Sequence, residues 1–358
     1  MLALPTSSHS TEDHKENTTS IKHYVADDIG LRFQERKSQF NKICSDLRNR
    51  KIKRYWSRYR SMADQKLQWC LIPKVGSTYM NALIQKTFPG KNSFSDYNEA
   101  NSTKKFIFVR EPYSRLVSGY LGKIATHPLW WKGLGAYITE NFKGSNQNND
   151  DNQICGHNVT FPEFIKYFIH SETHLQYQDP HFMPMFRQCG GCQKSFDYIG
   201  HLETMRDDVK YIFNSINASS DMIFDSDVQT IRAKCGQFLD YFSDAKSYRC
   251  LSKCEAMGKV WWSFQIRGLI SRDVEFPLSG ISCKNVTGED FVKLTMKAHE
   301  ESRGKFDKHK QKSEFIREMF RQVSLEDRLK VKELLDLDFQ LFGYDAQPAD
   351  IFPELVNT

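Results

Sequence analysis

Two short apolar runs, each followed by a charged loop and then by a helical pattern, constrain this chain more than any other feature. Residues 67–73 read LQWCLIP, a buried-strand pattern closed by Pro73. Beyond residues 74–77, Met80, Leu83, Ile84 and Phe88 recur at helical spacing, and Pro89-Gly90 ends that helix. Residues 105–110, KFIFVR, repeat the strand pattern. Pro112 suits the first turn of the next helix, where a missing N–H costs nothing, and Leu116, Val117, Tyr120, Leu121 and Ile124 mark its buried face. Strands alternating with helices predict an α/β fold with a mostly parallel central sheet flanked by helices.

The rest of the chain extends this pattern unevenly. FPEFIKYFIH (161–170) reads as a helix, SFDYIG (195–200) as a third strand, and residues 203–216 as a helix after it. Leu325, Leu329, Val331, Leu334 and Leu335 define a last helix, closing with DFQLFGY. Three parts are expected: a polar tail and basic stem over 1–66, a catalytic domain over 67–345 with an irregular cysteine-containing segment at 220–320, and a tail over 346–358. Residues 1–30 are polar and read as disordered. Residues 48–60, RNRKIKRYWSRYR, hold seven Lys or Arg in thirteen. A solvated helix or stem is the favoured reading of that run, over a patch for acidic polysaccharide or nucleic acid.

With 39% apolar residues over 358, the chain is globular. Its formal charge of +6 suits an anionic ligand and is too small to imply nucleic acid as a partner. Nine cysteines, with close pairs at Cys189/Cys192 and Cys250/Cys254, point to disulfides rather than zinc. The second pair has a three-residue gap, and no histidine stands nearby at the usual spacing. An odd total leaves at least one thiol unpaired within the chain. Asn-X-Ser/Thr sequons at Asn17, Asn101, Asn158, Asn217 and Asn285 agree with a secretory compartment. Only Met1 to Pro5 precede polar sequence, so membrane association is expected only through an anchor not present in this sequence.

The chemistry concentrates in the two loops. In PKVGST, Pro73, Lys74, Val75, Gly76, Ser77 and Thr78 link a strand to a helix, which aims backbone N–H groups at one spot and favours a bound phosphate or sulfate. Lys74 adds a point charge, Ser77 and Thr78 add hydroxyls. The loop lacks the Gly-rich stretch and Lys-Ser/Thr pair of a Walker A motif, and a surface turn with a Ser cap would also produce it. In FVREPYSRLVSGY, Arg110 stands at a strand's carboxyl end, where ligands meet open α/β sheets. Ser118 follows two helical turns later. An Arg and a hydroxyl make a clamp for a phosphate monoester; a salt bridge from Arg110 to Glu111 or Asp179 is the alternative.

In this order the two loops resemble the cofactor signatures of the Golgi carbohydrate sulfotransferases, the group of the chondroitin 4-O-sulfotransferases and the HNK-1 sulfotransferase. The first signature there reads Pro-Lys-Val-Gly/Ala-Cys/Ser-Thr, the second Arg-Asp/Glu-Pro-Phe/Tyr-X-Arg-Leu-Val-Ser. FPEFIKYFI, HFMPMFRQCGGCQKSFDYIGHLETMRDD and DFQLFGY continue the likeness, so that it runs over about residues 68–345 in four ordered blocks. Phe182 follows His181 where the group usually has Trp, and the 220–320 segment is longer than the group's.

The resemblance implies a P-loop-like sulfotransferase fold and transfer of a sulfuryl group from 3′-phosphoadenosine 5′-phosphosulfate (PAPS) to a hydroxyl of a glycan or glycosaminoglycan, a chondroitin-like chain among them, in the Golgi lumen. Residues 73–78 would hold the 5′-phosphosulfate, and Arg110, Arg115 and Ser118 the 3′-phosphate. Lys74 would neutralise the leaving phosphate, and no metal is expected. His181 is the first candidate for the general base, with His174 and Glu203 as alternatives and a structural histidine as the competing reading; His127 reads as a loop residue. A non-catalytic PAPS- or polysaccharide-binding homologue is the alternative function, and a nucleotide-dependent kinase a more distant one.

Overall fold

The computed structural model describes residues 13–47, 57–62, 66–90, 93–95, 103–142, 155–218, 226–242, 251–279, 283 and 285–356. A single sheet of five strands has the order β3-β1-β2-β4-β5, with β1 at Tyr59–Met62, β2 at Leu67–Cys70, β3 at Ser93–Ser95, β4 at Lys104–Val109 and β5 at Tyr198–His201. Both β2–β4 and β4–β5 are parallel pairs. β1 runs antiparallel to β2 and to β3, so it alone is reversed and the other four strands share one direction. All four residues of β2 are buried, the mark of a strand covered on both faces. Its one polar side chain, Gln68, donates from Nε2 to Ser61 Oγ on β1 (3.1 Å).

Thirteen helices lie among the described residues. The sheet packs with α1 (Asp13–Asp46), α2 (Ser77–Thr87) and the helices that follow its other strands. From β4 the chain enters α3 (Pro112–Gly119), which runs on through a π-helical turn at Tyr120–Ala125. Short helices α4 (Pro128–Trp130) and α5 (Ala136–Phe142) lead to α6 (Phe161–His174), which opens on a Thr160–Glu163 capping box. After β5 comes α7 (Met205–Asn214). A helical unit of α8 (Ser226–Phe242), α9 (Lys253–Ile266) and α10 (Gly288–Ser302) has its own apolar centre of Ile231, Met257, Trp261, Phe264 and Phe291. Helices α11 (Lys308–Arg321), α12 (Leu325–Leu334) and α13 (Asp336–Phe342) close the molecule.

Several expectations change. The segment read as irregular is largely helical, and its starts were written locally: Ser252–Glu255 and Thr287–Asp290 are capping boxes. The stem does not end at residue 66. Helix α1 takes in residues expected as a disordered tail, and its Phe33 and Phe40 are in the sheet's core. Residues 48–56 of the basic run lie outside the described residues, whereas Tyr59 and Arg60 are buried in β1, with Arg60 Nη1 donating to Asn81 Oδ1 (2.6 Å). The expected C-terminal tail packs too: Ile351 and Phe352 are buried, and Arg328 pairs with Glu354 (2.6 Å).

Disulfides join Cys44 to Cys192, Cys70 to Cys189, and Cys254 to Cys283, so Cys189 and Cys192 bond to distant partners and not to each other. Cys155 is also oxidised, and Cys235 is a buried free thiol.

If α1 belongs to the folded domain, Phe40→Ala must act as a core truncation, because Phe40 packs on Phe196 and Phe342 at centroid distances of 6.0 and 6.1 Å. Urea unfolding of the variant should show a loss of about 3–5 kcal/mol. A change under about 0.5 kcal/mol, the level of a surface substitution, would return α1 to the role of a stem.

Candidate active site

At the carboxyl end of β2 the chain turns through Pro73, Lys74, Val75 and Gly76 into α2. Lys74 and Gly76 both hold positive φ, 71° and 84°. A Cβ on Gly76 would also lie 2.8 Å from Met205 Sδ and 2.9 Å from Leu202 Cδ1, so space and backbone alike demand glycine there. Gly76 is the N-cap of α2 and supplies no capping side chain. The start of α2 therefore opens on the cavity with its partial positive charge available to an anion.

Two arginines from the second strand–helix unit hold this loop. Arg115 Nε donates to Pro73 O (3.1 Å), and Arg110 Nη1 donates to Lys74 O (3.2 Å). Arg115 further donates to Met183 O (2.8 Å) and Pro180 O (2.9 Å). Its guanidinium is buried and its donors go to backbone, so Arg115 braces the loop against the segment bearing His181 and does not line the cavity. Val75 is likewise a core residue. Glu111 caps α3 by accepting from Tyr113 N (2.8 Å) and Ser114 N (2.6 Å), which closes that helix start to a ligand. Of the second loop's candidates, Arg110 and Ser118 line the cavity. Arg110 makes neither of the expected salt bridges among the described residues.

Two glycines on α3 and its π-turn let the site close up. A Cβ on Gly119 would sit 2.7 Å from Phe182 Cδ1 and 3.1 Å from His181 O, and one on Gly122 would sit 2.3 Å from Lys74 Nζ. The first admits the His181 segment, the second the lysine's ammonium. π-Helical turns recur at functional sites because they displace side chains out of register.

These elements enclose a cavity of about 400 Å³ lined by Pro73, Lys74, Gly76, Ser77, Thr78, Arg110, Ser118 and His181, together with Lys123, His127, Thr230, Lys234 and Arg267. Among the described residues, no carboxylate lines it. Burial, then Arg267, Lys234, Lys123 and Arg110, hold the Lys74 pKa well below the usual lysine range. Burial, Arg267 and Lys123 bring Lys234 down to about 7. Basic side chains crowded into a low-dielectric pocket favour a polyanionic partner.

His181, the first candidate base, lines the cavity too. Its Nδ1 meets Asp179 Oδ1 at 2.6 Å, and its ring lies edge-on to Trp130 at 5.6 Å. An accepting carboxylate requires the proton on Nδ1 and leaves Nε2 with its lone pair. Burial lowers the His181 pKa, Asp179 opposes this, and Lys123 and Lys74 add to the lowering, which favours the neutral ring. The other base candidates are elsewhere. His174 is exposed and bonds His170 O (2.9 Å), and Glu203 accepts from Glu111 N (3.1 Å) and Tyr344 Oη (2.9 Å). His127, read as a loop residue, is buried in the cavity wall, with burial and neighbouring lysines lowering its pKa to about 4.

Comparison with known protein families matches residues 57–235, half of the chain, to the sulfotransferase family. This chain belongs to the sulfotransferase family. Among similar proteins are carbohydrate sulfotransferase 14 of Danio rerio, 32% identical over 34% of this chain and 32% of that one, and carbohydrate sulfotransferase 11 of Rattus norvegicus, 26% identical over 51% and 59%. Carbohydrate sulfotransferase 10 of Danio rerio is 26% identical over 42% and 50%. The matched stretch thus spans between about a third and three-fifths of the length of these relatives. No solved structure matches significantly.

Sequence reasoning missed Lys123, Thr230, Lys234 and Arg267. Lys123 could have been found, since Ser118 and Gly122 are four apart and so share a helix face that ends beside it. Nothing local marks the other three, which enter the cavity from α8 and the end of α9.

Gly122→Ala tests the packing that seats Lys74. The new methyl meets only the tip of a flexible chain, so the melting temperature should stay within about 2 °C, as for a surface change of a few tenths of a kcal/mol. Sulfuryl transfer should drop on the order of 10²-fold, the cost of about 1 Å of misplacement. Full activity would mean that the position of the ammonium does not matter.

Proposed function

We propose that this chain is a carbohydrate O-sulfotransferase that moves the sulfuryl group of PAPS onto a glycan hydroxyl. One observation carries the reading: the uncapped start of α2 with Lys74, the Arg110–Ser118 pair, and His181 with Asp179 behind it all meet at one cationic cavity. The relatives, carbohydrate sulfotransferases by name, support a sugar acceptor.

In this mechanism the α2 amides, Ser77 and Thr78 hold the 5′-phosphosulfate, and Arg110 with Ser118 holds the 3′-phosphate. His181 Nε2 takes the proton of the acceptor hydroxyl as its oxygen attacks sulfur in line. Lys74 neutralises the phosphate oxygen that keeps the electron pair of the broken S–O bond. Asp179 steadies the imidazolium. A hexosamine or glucuronic acid in a chondroitin-like chain suits the positive cavity as acceptor. The disulfides, and the exposed sequon residues Asn158, Asn217 and Asn285, favour the Golgi lumen. No helix among the described residues is long and apolar enough to cross a membrane.

Calorimetry with 3′-phosphoadenosine 5′-phosphate (PAP) tests the nucleotide site. Binding a polyanion restores charge to lysines whose pKa the empty cavity depresses, so it should take up protons and weaken as pH rises through 7. Arg110→Ala should cut the affinity at least tenfold, since a charge-assisted contact contributes about 1.5–3 kcal/mol. Absence of binding by the native chain would end the proposal.

For the base, His181→Ala should lower transfer by about 10²–10⁴-fold while PAP affinity stays within about threefold. Because the His181 pKa lies below its ordinary value, the acidic limb of kcat/KM in the native enzyme should fall below pH ~6.5. Retention of most activity by the variant would remove His181 from the chemistry.

A further inference from the structure

We infer that Arg267 is a second cationic contact for the sulfuryl group in flight, facing Lys74 from the helical unit of α8 to α10. This rests on the sulfotransferase reading above and deepens it, because the family match stops at Cys235 and assigns nothing to α9.

Arg267 follows the last residue of α9 and lines the cavity. Its Nε and Nη2 are buried and meet no hydrogen-bond partner. Unspent guanidinium donors away from water are destabilising, so a site that keeps them is built for a partner that arrives later. The position is also held from behind. Gly268 has φ 70°, and a Cβ there would lie 2.7 Å from Lys308 O, which fixes the end of α9 against the start of α11.

The target follows from where the two head groups converge. The point a Cβ on Gly122 would occupy lies 2.3 Å from Lys74 Nζ and 3.8 Å from Arg267 Nη2. Lys74 belongs to the loop that takes the phosphosulfate, so a group reached by both cations is at that end of the donor. The leaving phosphate already has the α2 amides and Lys74, while the oxygens on sulfur need donors from the other wall. A guanidinium fork matches two of them. Thr230 and Lys234 line the same wall, from α8.

During transfer, a bond forms between the acceptor oxygen and sulfur, and the bond from sulfur to the 5′-phosphate oxygen breaks, its electron pair staying with the phosphate. The hydroxyl proton goes to His181 Nε2. Arg267 changes no bond of its own. Its N–H groups shorten onto the sulfuryl oxygens as charge spreads over them, an interaction strongest at the transition state.

The test compares Arg267→Gln with the native chain in three measurements: transfer to glycan, slow transfer to water from PAPS without acceptor, and calorimetric affinity for PAP, which lacks the sulfuryl group. The expected result is an equal loss of about 10²-fold in both transfer rates, with PAP affinity within about threefold. Unchanged hydrolysis would make Arg267 an acceptor contact, and a parallel fall in PAP affinity would make it a nucleotide anchor; either overturns the inference. Losses under threefold in both rates overturn it as well. Arg267→Lys, which keeps the charge without the fork, should recover part of the hydrolysis rate; if neither variant folds, Arg267 is a structural residue and the inference is wrong. Failure of the native chain to bind PAP would instead sink the sulfotransferase reading, so the two failures are distinguishable.

Discussion

The bonds from Arg115 and Arg110 to the carbonyls of Pro73 and Lys74 are what the rest of the site depends on. The loop between β2 and α2 carries positive φ at two residues, one of them a lysine, a conformation that costs of order 1–3 kcal/mol for a residue with a side chain. It persists because each turned carbonyl meets a guanidinium from the neighbouring strand–helix unit. The same Arg115 takes the carbonyls of Pro180 and Met183. One buried side chain thereby sets the distance between the anion loop and the segment that presents His181.

That arrangement needs a rigid frame, because the cavity it encloses is electrostatically unfavourable when empty. Lys74, Arg110, Lys123, Lys234 and Arg267 share a small volume with no carboxylate among the described residues of its walls. Covalent ties answer the repulsion. Cys70 ends β2 just ahead of the anion loop and is bonded to Cys189, just past the His181 segment. Cys44–Cys192 secures α1 to the same stretch. Asp338, fully buried, accepts from Met185 N and Phe186 N (both 2.7 Å) and offsets part of the charge of Arg115.

Gly119 and Gly122 show how little sequence separates framework from chemistry. Each removes a side chain from one face of α3 and its π-turn, and each space is filled by a different part of the site. A Cβ at Gly122 would strike only the flexible end of Lys74 at short range, whereas one at Gly119 would strike the buried Phe182 ring.

The sequence alone determined the parts whose signals are local. Apolar runs, helical spacing, Pro112 and the strand-to-helix order of residues 67–90 and 105–124 sufficed for β2, α2, β4 and α3, and so for the place of the 73–78 loop, Arg110 and Ser118 between strand and helix, because periodicity and turn chemistry act within a few residues. Tertiary structure decided the rest. Arg115 reads as a ligand in its motif, yet its three carbonyl partners lie 42, 65 and 68 residues away. Whether Cys189 paired with Cys192 or with Cys70 depended on which strands met. Lys234 and Arg267 became cavity residues only when α8 and α9 packed over the sheet's carboxyl edge. Contacts between distant segments leave no period in a sequence, since they are selected by the shape and charge of the surface that receives them.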